Sequence, residues 1–271
     1  MSGMGSLFQY NFMVFAFVAI LIITPLFGIL GTMVVSNRMA FFSDALGHSA
    51  LTGIAVGVIC GLGEPSLAMV LFGVAFALLL NWIRSRNISQ TDTVISVFSS
   101  CCIAIGLAIL SRGGNFSQYS SLLLGDVLSI TKQQIIYLVL LFAATIVFWI
   151  VCYNRLQAIV LNRTLAKSRQ IRILLVENLF SIFIALVVML SVEWIGILLI
   201  NALLILPAAS ARNISGNVRE YHLFAIIFSM FSGIVGLFIS YYTDIATGPM
   251  IVIIAAVIFF ASYFYGRKRC S

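Results

Sequence analysis

Long apolar runs, each of a length that crosses a lipid bilayer as a helix, are the feature that most constrains this chain. Eight such runs lie near residues 11–35, 66–83, 93–111, 134–153, 173–192, 195–211, 222–242 and 248–265. A ninth, shorter run near residues 45–62 is more polar, because Asp44 and His48 stand at its beginning and a Gly-Glu-Pro turn follows it. The pattern predicts an all-α polytopic membrane protein with about eight to nine transmembrane helices, and it leaves open whether the 45–62 segment spans fully.

The composition excludes a water-soluble globular protein, since 62% of the residues are hydrophobic and only 8% are charged, against about 25% charged in soluble domains. Nine helices of about 20 residues would use about 180 positions and leave about 90 for loops and tails. We therefore expect a single transmembrane domain over residues 1–271, without room for a catalytic domain. The chain also has no HExxH, GxSxG or GxxxxGK[ST] motif, which disfavours an enzyme.

The cysteines and the N-terminal segment predict neither a disulfide framework nor a cleaved signal peptide. The five cysteines show no CxxC pattern and no paired spacing. No basic residue precedes the first apolar run, whereas a signal peptide begins with a positively charged region. We expect the first run to be a retained membrane helix.

The basic residues predict the orientation of the chain in the membrane. In a nine-helix topology with the N-terminus outside, 13 of the 15 lysine and arginine residues fall on the inner side, and only Arg112 and Lys132 fall outside. Because inner loops of membrane proteins are enriched in Lys and Arg, we expect the N-terminus outside and the C-terminus in the cytoplasm. The net charge of +7 is then a property of the inner surface, and nucleic acid is not an expected partner.

Asp44 and His48 form the most informative polar pair. Residues four apart lie on one face of a helix, one turn apart, so both side chains can share a cation. An ionisable residue in a membrane helix costs about 2.5–3.5 kcal/mol and commonly marks a transport pathway. Carboxylate and imidazole together suit zinc, manganese or ferrous iron. The same spacing also fits a helix cap at the headgroups beside a buried, hydrogen-bonded histidine, and spacing alone leaves both interpretations open.

The inner segment 154–172 mixes five basic residues with apolar ones, which predicts a short amphipathic helix along the membrane surface. Composition does not separate lipid-headgroup binding from docking of a cytoplasmic partner. Just beyond it, Glu177 lies near the inner end of an apolar run, where we expect it to reach the headgroups or pair with a loop arginine rather than act in transport.

Four motifs follow each other along the chain, and together they resemble the permease subunits of metal-cation ABC importers, which take up zinc, manganese or iron in bacteria. The motifs are the arginine and D-x3-H pattern in Asn37–Gly53, the L-L-G-D element in Leu123–Leu128, the proline-containing stretch Gly196–Arg212 and the D-x-x-x-G-P turn in Asp244–Pro249. The resemblance covers nearly the whole chain. It implies the fold of ABC importer permeases of the metal and vitamin B12 type.

The resemblance also implies partners and site residues. Asp44 and His48 match the metal-handling pair of the translocation route, and Leu165, Ala166 and Arg169 match the cytoplasmic coupling loop, within 154–172, that contacts the ATPase. The implied partners are a cytoplasmic ABC ATPase that hydrolyses ATP for the permease, an extracellular or periplasmic metal-binding protein, a second permease subunit and membrane lipid. The implied location is the bacterial inner membrane, and the metal is cargo rather than a permanently bound cofactor.

Two departures from the family pattern bear on these expectations. The family tends to have glycine four residues after the alanine that corresponds to Ala166, whereas this chain has Gln170, so the shape of the coupling turn stays open. Manganese and iron members often have proline where this chain has Thr52, which favours zinc over manganese or iron.

Two functions of other classes remain as alternatives. One is a secondary metal transporter or channel that needs no ATPase. The other is a membrane enzyme that uses Asp44 and His48 as acid and base.

Overall fold

A computed structural model describes residues 11–62, 65–85, 91–112 and 127–270 of the chain, without the side chains of residues 11, 91 and 267–270. These residues form ten α-helices and one 3-10 turn, Val127–Ser129. The helices are α1 Asn11–Ser36, α2 Ala40–Ile59, α3 Pro65–Ser85, α4 Thr91–Arg112, α5 Lys132–Leu161, α6 Arg163–Ser168, α7 Ile173–Ile195, α8 Ile197–Ile214, α9 Val218–Thr243 and α10 Thr247–Cys270. Within the described ranges, nine helices are long and apolar enough to cross a membrane, which confirms the predicted all-α polytopic fold.

Helix α2 resolves the uncertainty about the most polar segment. It has 20 residues, and its 18-residue apolar window has a mean hydropathy of 1.3, the lowest of the nine candidate spans, yet 72% of that window is buried inside the protein. By contrast, only 17% of α5 is buried. Because α2 faces protein rather than lipid, it tolerates polar residues, and it therefore begins at Ala40, five residues before the apolar run that predicted it.

The inner segment 154–172 differs from the single amphipathic helix that its composition predicts. Helix α5 continues through Asn154 to Leu161, because Leu156 and Ile159 bury their side chains along it. The helix then breaks at Asn162, and the six-residue helix α6 follows. The coupling loop thus consists of the end of a long helix, a short helix and a turn.

The helices pack into two compact units. The first takes its described residues from Met1–Val35, Leu122–Thr145 and Trp194–Ser271, and the second takes them from Ser36–Ser121 and Ile146–Glu193. The second unit holds α2, α3, α4, α6 and most of α7, and therefore both predicted sites. The single permease domain expected over residues 1–271 stays a prediction.

Close helix packing in the second unit depends on glycines of α2 and α4. A Cβ at Gly53 would lie 2.7 Å from the Met69 Cα of α3, and a Cβ at Gly106 would lie 2.9 Å from the Thr52 backbone nitrogen. The Thr52 hydroxyl donates a short hydrogen bond to the Cys102 carbonyl oxygen of α4. These contacts hold α2 against both neighbours, so the side chains on its remaining face have a defined position.

In the first unit, glycine likewise lets α1 approach other helices closely. A Cβ at Gly31 would collide with the Leu204 carbonyl oxygen of α8, and a Cβ at Gly28 would lie 3.1 Å from the Ile226 Cα of α9. Helix α8 contains the proline-containing motif from Ile197 onward, starts after Gly196 at φ 87° and continues through Pro207. A continuous helix with many buried residues is the geometry expected of a packed span rather than of a chemical site.

Candidate functional site

Asp44 and His48 lie on the same face of α2, as their spacing predicts. The His48 Nε2 and Asp44 Oδ1 atoms are 3.5 Å apart, and the side chains are 30% and 45% exposed, respectively. Between Phe42 and Ala55, all residues of α2 except Asp44 and His48 are buried. The candidate cation ligands, Asp44 and His48, are therefore also the two accessible side chains in this part of the helix.

The local backbone explains why α2 presents this pair. Asn37 is buried, and Arg38 takes the left-handed conformation at φ 55°, which turns the chain sharply between α1 and α2. Helix α2 begins without a side-chain cap at Met39, and the Ser43 hydroxyl donates to the Ala40 carbonyl oxygen. Asp44 therefore lies within the second turn, with its carboxylate directed away from the packed face.

The separation of the two candidate ligand atoms allows them to share one cation. With bonds of about 2.1 Å, a tetrahedral ion holds two ligand atoms about 3.4 Å apart, and the Nε2 and Oδ1 atoms are 3.5 Å apart. Across the described residues, no group of three or more His, Cys, Asp or Glu side chains is arranged to hold a metal.

Helix α6 is the compact centre of the predicted coupling element. The Asn162 side-chain oxygen accepts hydrogen bonds from the backbone N–H groups of Thr164 and Leu165, at 2.8 and 3.2 Å, and so caps the helix. Ala166 is completely buried, whereas Leu165 is 48% exposed and Arg169 is exposed. The predicted coupling residues thus divide into an inward-facing alanine and outward-facing leucine and arginine.

The turn after α6 explains the glycine preference that this chain does not follow. Gln170 has φ 57°, in the left-handed region that glycine adopts without strain. Its N–H donates to the Lys167 carbonyl at 2.9 Å, and the Ile171 N–H donates to the Ala166 carbonyl at 3.1 Å. This pair of hydrogen bonds is a Schellman motif, so Gln170 preserves the turn despite its side chain.

Glu177 pairs with an arginine of the inner segment, which is one of the two arrangements that the sequence predicted. The Arg163 Nη2 group donates to the Glu177 Oε1 atom in a very short contact. The Glu177 side chain is only 6% exposed, whereas that of Arg163 is 47% exposed. A buried carboxylate of α7 thus binds the first residue of α6.

Sequence reasoning missed the polar residues that surround this ion pair. Arg84, near the end of α3, donates from Nη2 to the Asn37 carbonyl oxygen at 3.0 Å, and Asn81 donates to Asn178 at 2.5 Å. A cavity of about 770 Å³ is lined by Arg84, Glu177 and their neighbours. The available signals were Asn81 inside one apolar run, Arg84 directly after it, and the adjacent Glu177 and Asn178 inside another run.

Of the two remaining motifs, one is only partly described by the structure and the other forms a turn. Residues 123–126 of the L-L-G-D element, which include Asp126, lie outside the described residues, as do the turn residues 63 and 64. Asp244 ends α9 in the left-handed conformation at φ 54°. The hydroxyls of Ser240 and Thr247, which flank the turn, lie 2.9 Å apart, so this motif forms a compact helix-to-helix turn.

Known proteins share this chain's sequence and fold over nearly its full length. The chain is 32% identical over 240 residues to ZnuB of Haemophilus influenzae, a high-affinity zinc uptake system membrane protein, covering 87% of this chain and 90% of ZnuB. It is 24% identical to MntC of Listeria innocua, a manganese transport system membrane protein, covering 97% and 94% of the two chains.

The fold is also that of a solved complex, PsaBC from Streptococcus pneumoniae with a Fab. The TM-score is 0.83 at 24% identity, with 96% of this chain and 93% of that chain covered. A match to the description "ABC 3 transport family" extends over residues 9–266, which include the helix with Asp44 and His48 and the coupling element. The chain therefore belongs to the ABC 3 transport family.

Proposed function

We propose that the chain is the transmembrane permease subunit of an ATP-dependent importer for a divalent metal ion, with zinc as the cargo ahead of manganese or iron. The observation that carries this proposal is the pair on α2. Asp44 and His48 are the accessible residues of an otherwise buried helical stretch, and their ligand atoms are 3.5 Å apart. The identity to a zinc uptake protein, at 32%, exceeds that to a manganese transport protein, at 24%.

A second copy of the chain completes the ligand set in this proposal. Each subunit supplies one carboxylate and one imidazole, so a homodimer with a two-fold axis along the pathway supplies two of each. Four such ligands match the coordination number of zinc. Because a transported ion must also be released, we expect a set completed transiently, with water, rather than a closed structural site.

The energy comes from a cytoplasmic ABC ATPase that docks on the coupling element. Leu165 and Arg169 are exposed there, and Leu161, at the end of α5, is 77% exposed. An apolar side chain exposed beside basic residues is suited to a protein contact. In the proposed orientation, with the N-terminus outside, a metal-binding protein delivers the ion at the outer surface of the bacterial inner membrane.

The test is zinc uptake into proteoliposomes that contain the permease, its ATPase and its metal-binding protein. We expect zinc uptake to require ATP in the vesicle lumen, on the membrane side where the ATPase docks. We expect uptake to fall at least tenfold in Asp44→Asn and in His48→Gln. The matched control is Glu193→Gln, which neutralises an exposed carboxylate at the end of α7. Equal uptake without ATP would identify a secondary transporter or channel, and unchanged uptake in both α2 variants would reject the site.

A further inference from the structure

A series of polar contacts in the second unit leads from the coupling element to the start of α2. Its first contact is the ion pair between Arg163, the first residue of α6, and Glu177 of α7. Because Glu177 is buried, its carboxylate depends on this partner, and a displacement of α6 acts directly on α7.

The second contact joins α7 to α3. Arg84 of α3 and Glu177 of α7 line the same cavity. Asn81, one turn earlier on α3, donates to the Asn178 side chain at 2.5 Å. Adjacent residues of α7 therefore lie opposite residues three apart on one face of α3, and the hydrogen bond between the two asparagines fixes the two helices in one register.

The third contact joins α3 to the junction before α2. Arg84 Nη2 donates to the Asn37 carbonyl oxygen at 3.0 Å. Arg38 follows in the left-handed conformation, and α2 begins two residues later, at Ala40. At 1.5 Å per helical residue, Asp44 lies about 6 Å along α2 from Ala40, so a displacement of this junction reaches Asp44 within the second helical turn.

The surroundings of Arg84 allow this series to change its arrangement. Its Nη1 group is buried and has no hydrogen-bond partner among the described residues. Arg84, Arg163, Glu177 and Arg38 all line the cavity of about 770 Å³. Open space beside a guanidinium with unused donors lets Arg84 exchange partners without displacing a packed side chain.

We propose that Glu177 and Arg84 are positioning residues that transmit ATPase-driven movement of α6 to the helix that carries Asp44 and His48. This inference rests on the proposed function, because it assigns the route by which that function is powered. Neither residue touches the metal. Both act by setting the position of the α1–α2 junction relative to α6 and α7.

The test measures zinc imported per ATP hydrolysed by the complete transporter in proteoliposomes. In Glu177→Gln, we expect zinc uptake to fall at least tenfold while ATP hydrolysis stays within about twofold of the wild type. Because a single change leaves a charged partner behind, the double variant Arg163→Gln/Glu177→Gln removes the ion pair without an unpaired charge. It should lower the ratio to a similar extent.

Reversal of the pair and an unrelated cation supply the controls. The charge-swapped variant Arg163→Glu/Glu177→Arg should recover at least a third of the wild-type ratio, and Arg219→Gln, at an exposed cation of α9, should keep it. If uptake and ATP hydrolysis fell in proportion in the Glu177 variants, the ion pair would have only a structural role and the inference would be overturned. An unchanged ratio of zinc imported to ATP hydrolysed would overturn it as well. Absence of ATP-dependent uptake in the wild type would instead refute the proposed function.

Discussion

The substitution Gln170→Gly tests whether the coupling turn is held in a strained conformation. Gln170 has φ 57°, and a residue other than glycine costs about 1–2 kcal/mol there. Glycine removes this strain, but it also stabilises the unfolded chain by about 0.5–1 kcal/mol, because glycine has more conformational freedom there. We expect a net stabilisation of the turn by about 0.5–1 kcal/mol, which is about a two- to fivefold decrease in its opening equilibrium.

Hydrogen–deuterium exchange measures this equilibrium at the amides that close the turn. The N–H groups of Gln170 and Ile171 donate to carbonyl oxygens of α6, so their exchange, corrected for intrinsic rates, reports opening. We expect slower exchange in Gln170→Gly and faster exchange in Gln170→Val, because a β-branched residue fits the left-handed region poorly.

Lys167→Gly is the matched control, since it places the same residue at an exposed position inside α6. Glycine there should speed exchange, because it weakens a helix by about 1 kcal/mol. The reasoning would be refuted if Gln170→Gly speeded exchange as Lys167→Gly does.

Three further substitutions probe the packing around the two sites. Asn162→Ala removes the cap of α6, so we expect a loss of about 1 kcal/mol, measured as faster amide exchange confined to α6. Gly53→Ala places a Cβ against the Met69 backbone, so we expect destabilisation by about 1–3 kcal/mol, measured as a lower Tm of the purified protein. The comparison is Gly61→Ala, at a turn position with a positive φ but no neighbouring atom within reach of the new Cβ. Thr52→Val removes the hydrogen bond to the Cys102 carbonyl; we expect a loss of about 0.5–1.5 kcal/mol, which Thr52→Ser should largely avoid in the same Tm measurement.

Features that depend on neighbours along the chain could be predicted from the sequence. Apolar runs place the candidate spans within a few residues, and the spacing of Asp44 and His48 puts them on one helical face. The start of α2 was missed because hydropathy registers polarity but not the protein neighbours that make polarity tolerable. The break at Asn162 was missed because an asparagine inside a basic, apolar segment signals a cap only when the turn around it is known.

For contacts between distant segments, the sequence indicated one polar partner but not the residue that it contacts. Glu177 was expected to reach the headgroups or pair with a loop arginine, but nothing local indicates which arginine, and Arg163 is one of several in the segment. Arg84 and Asn37 are 47 positions apart in the chain, and their contact depends on how α3 packs beside the α1–α2 junction. Such pairs require the tertiary structure, because no sequence periodicity connects them.

The polar residues of the second unit have a common physical explanation. Each buried polar group in a membrane span lowers stability unless it finds a partner, yet this unit buries Asn81, Glu177 and Thr52 within apolar helices. Thr52 anchors α2 to α4, while Asn81 and Glu177 connect α3 and α7 to each other and to α6. Polar contacts therefore join the helices around Asp44 and His48. In the proposed mechanism, we expect a unit organised in this way to respond to displacement of α6 by discrete rearrangement rather than by sliding of apolar faces.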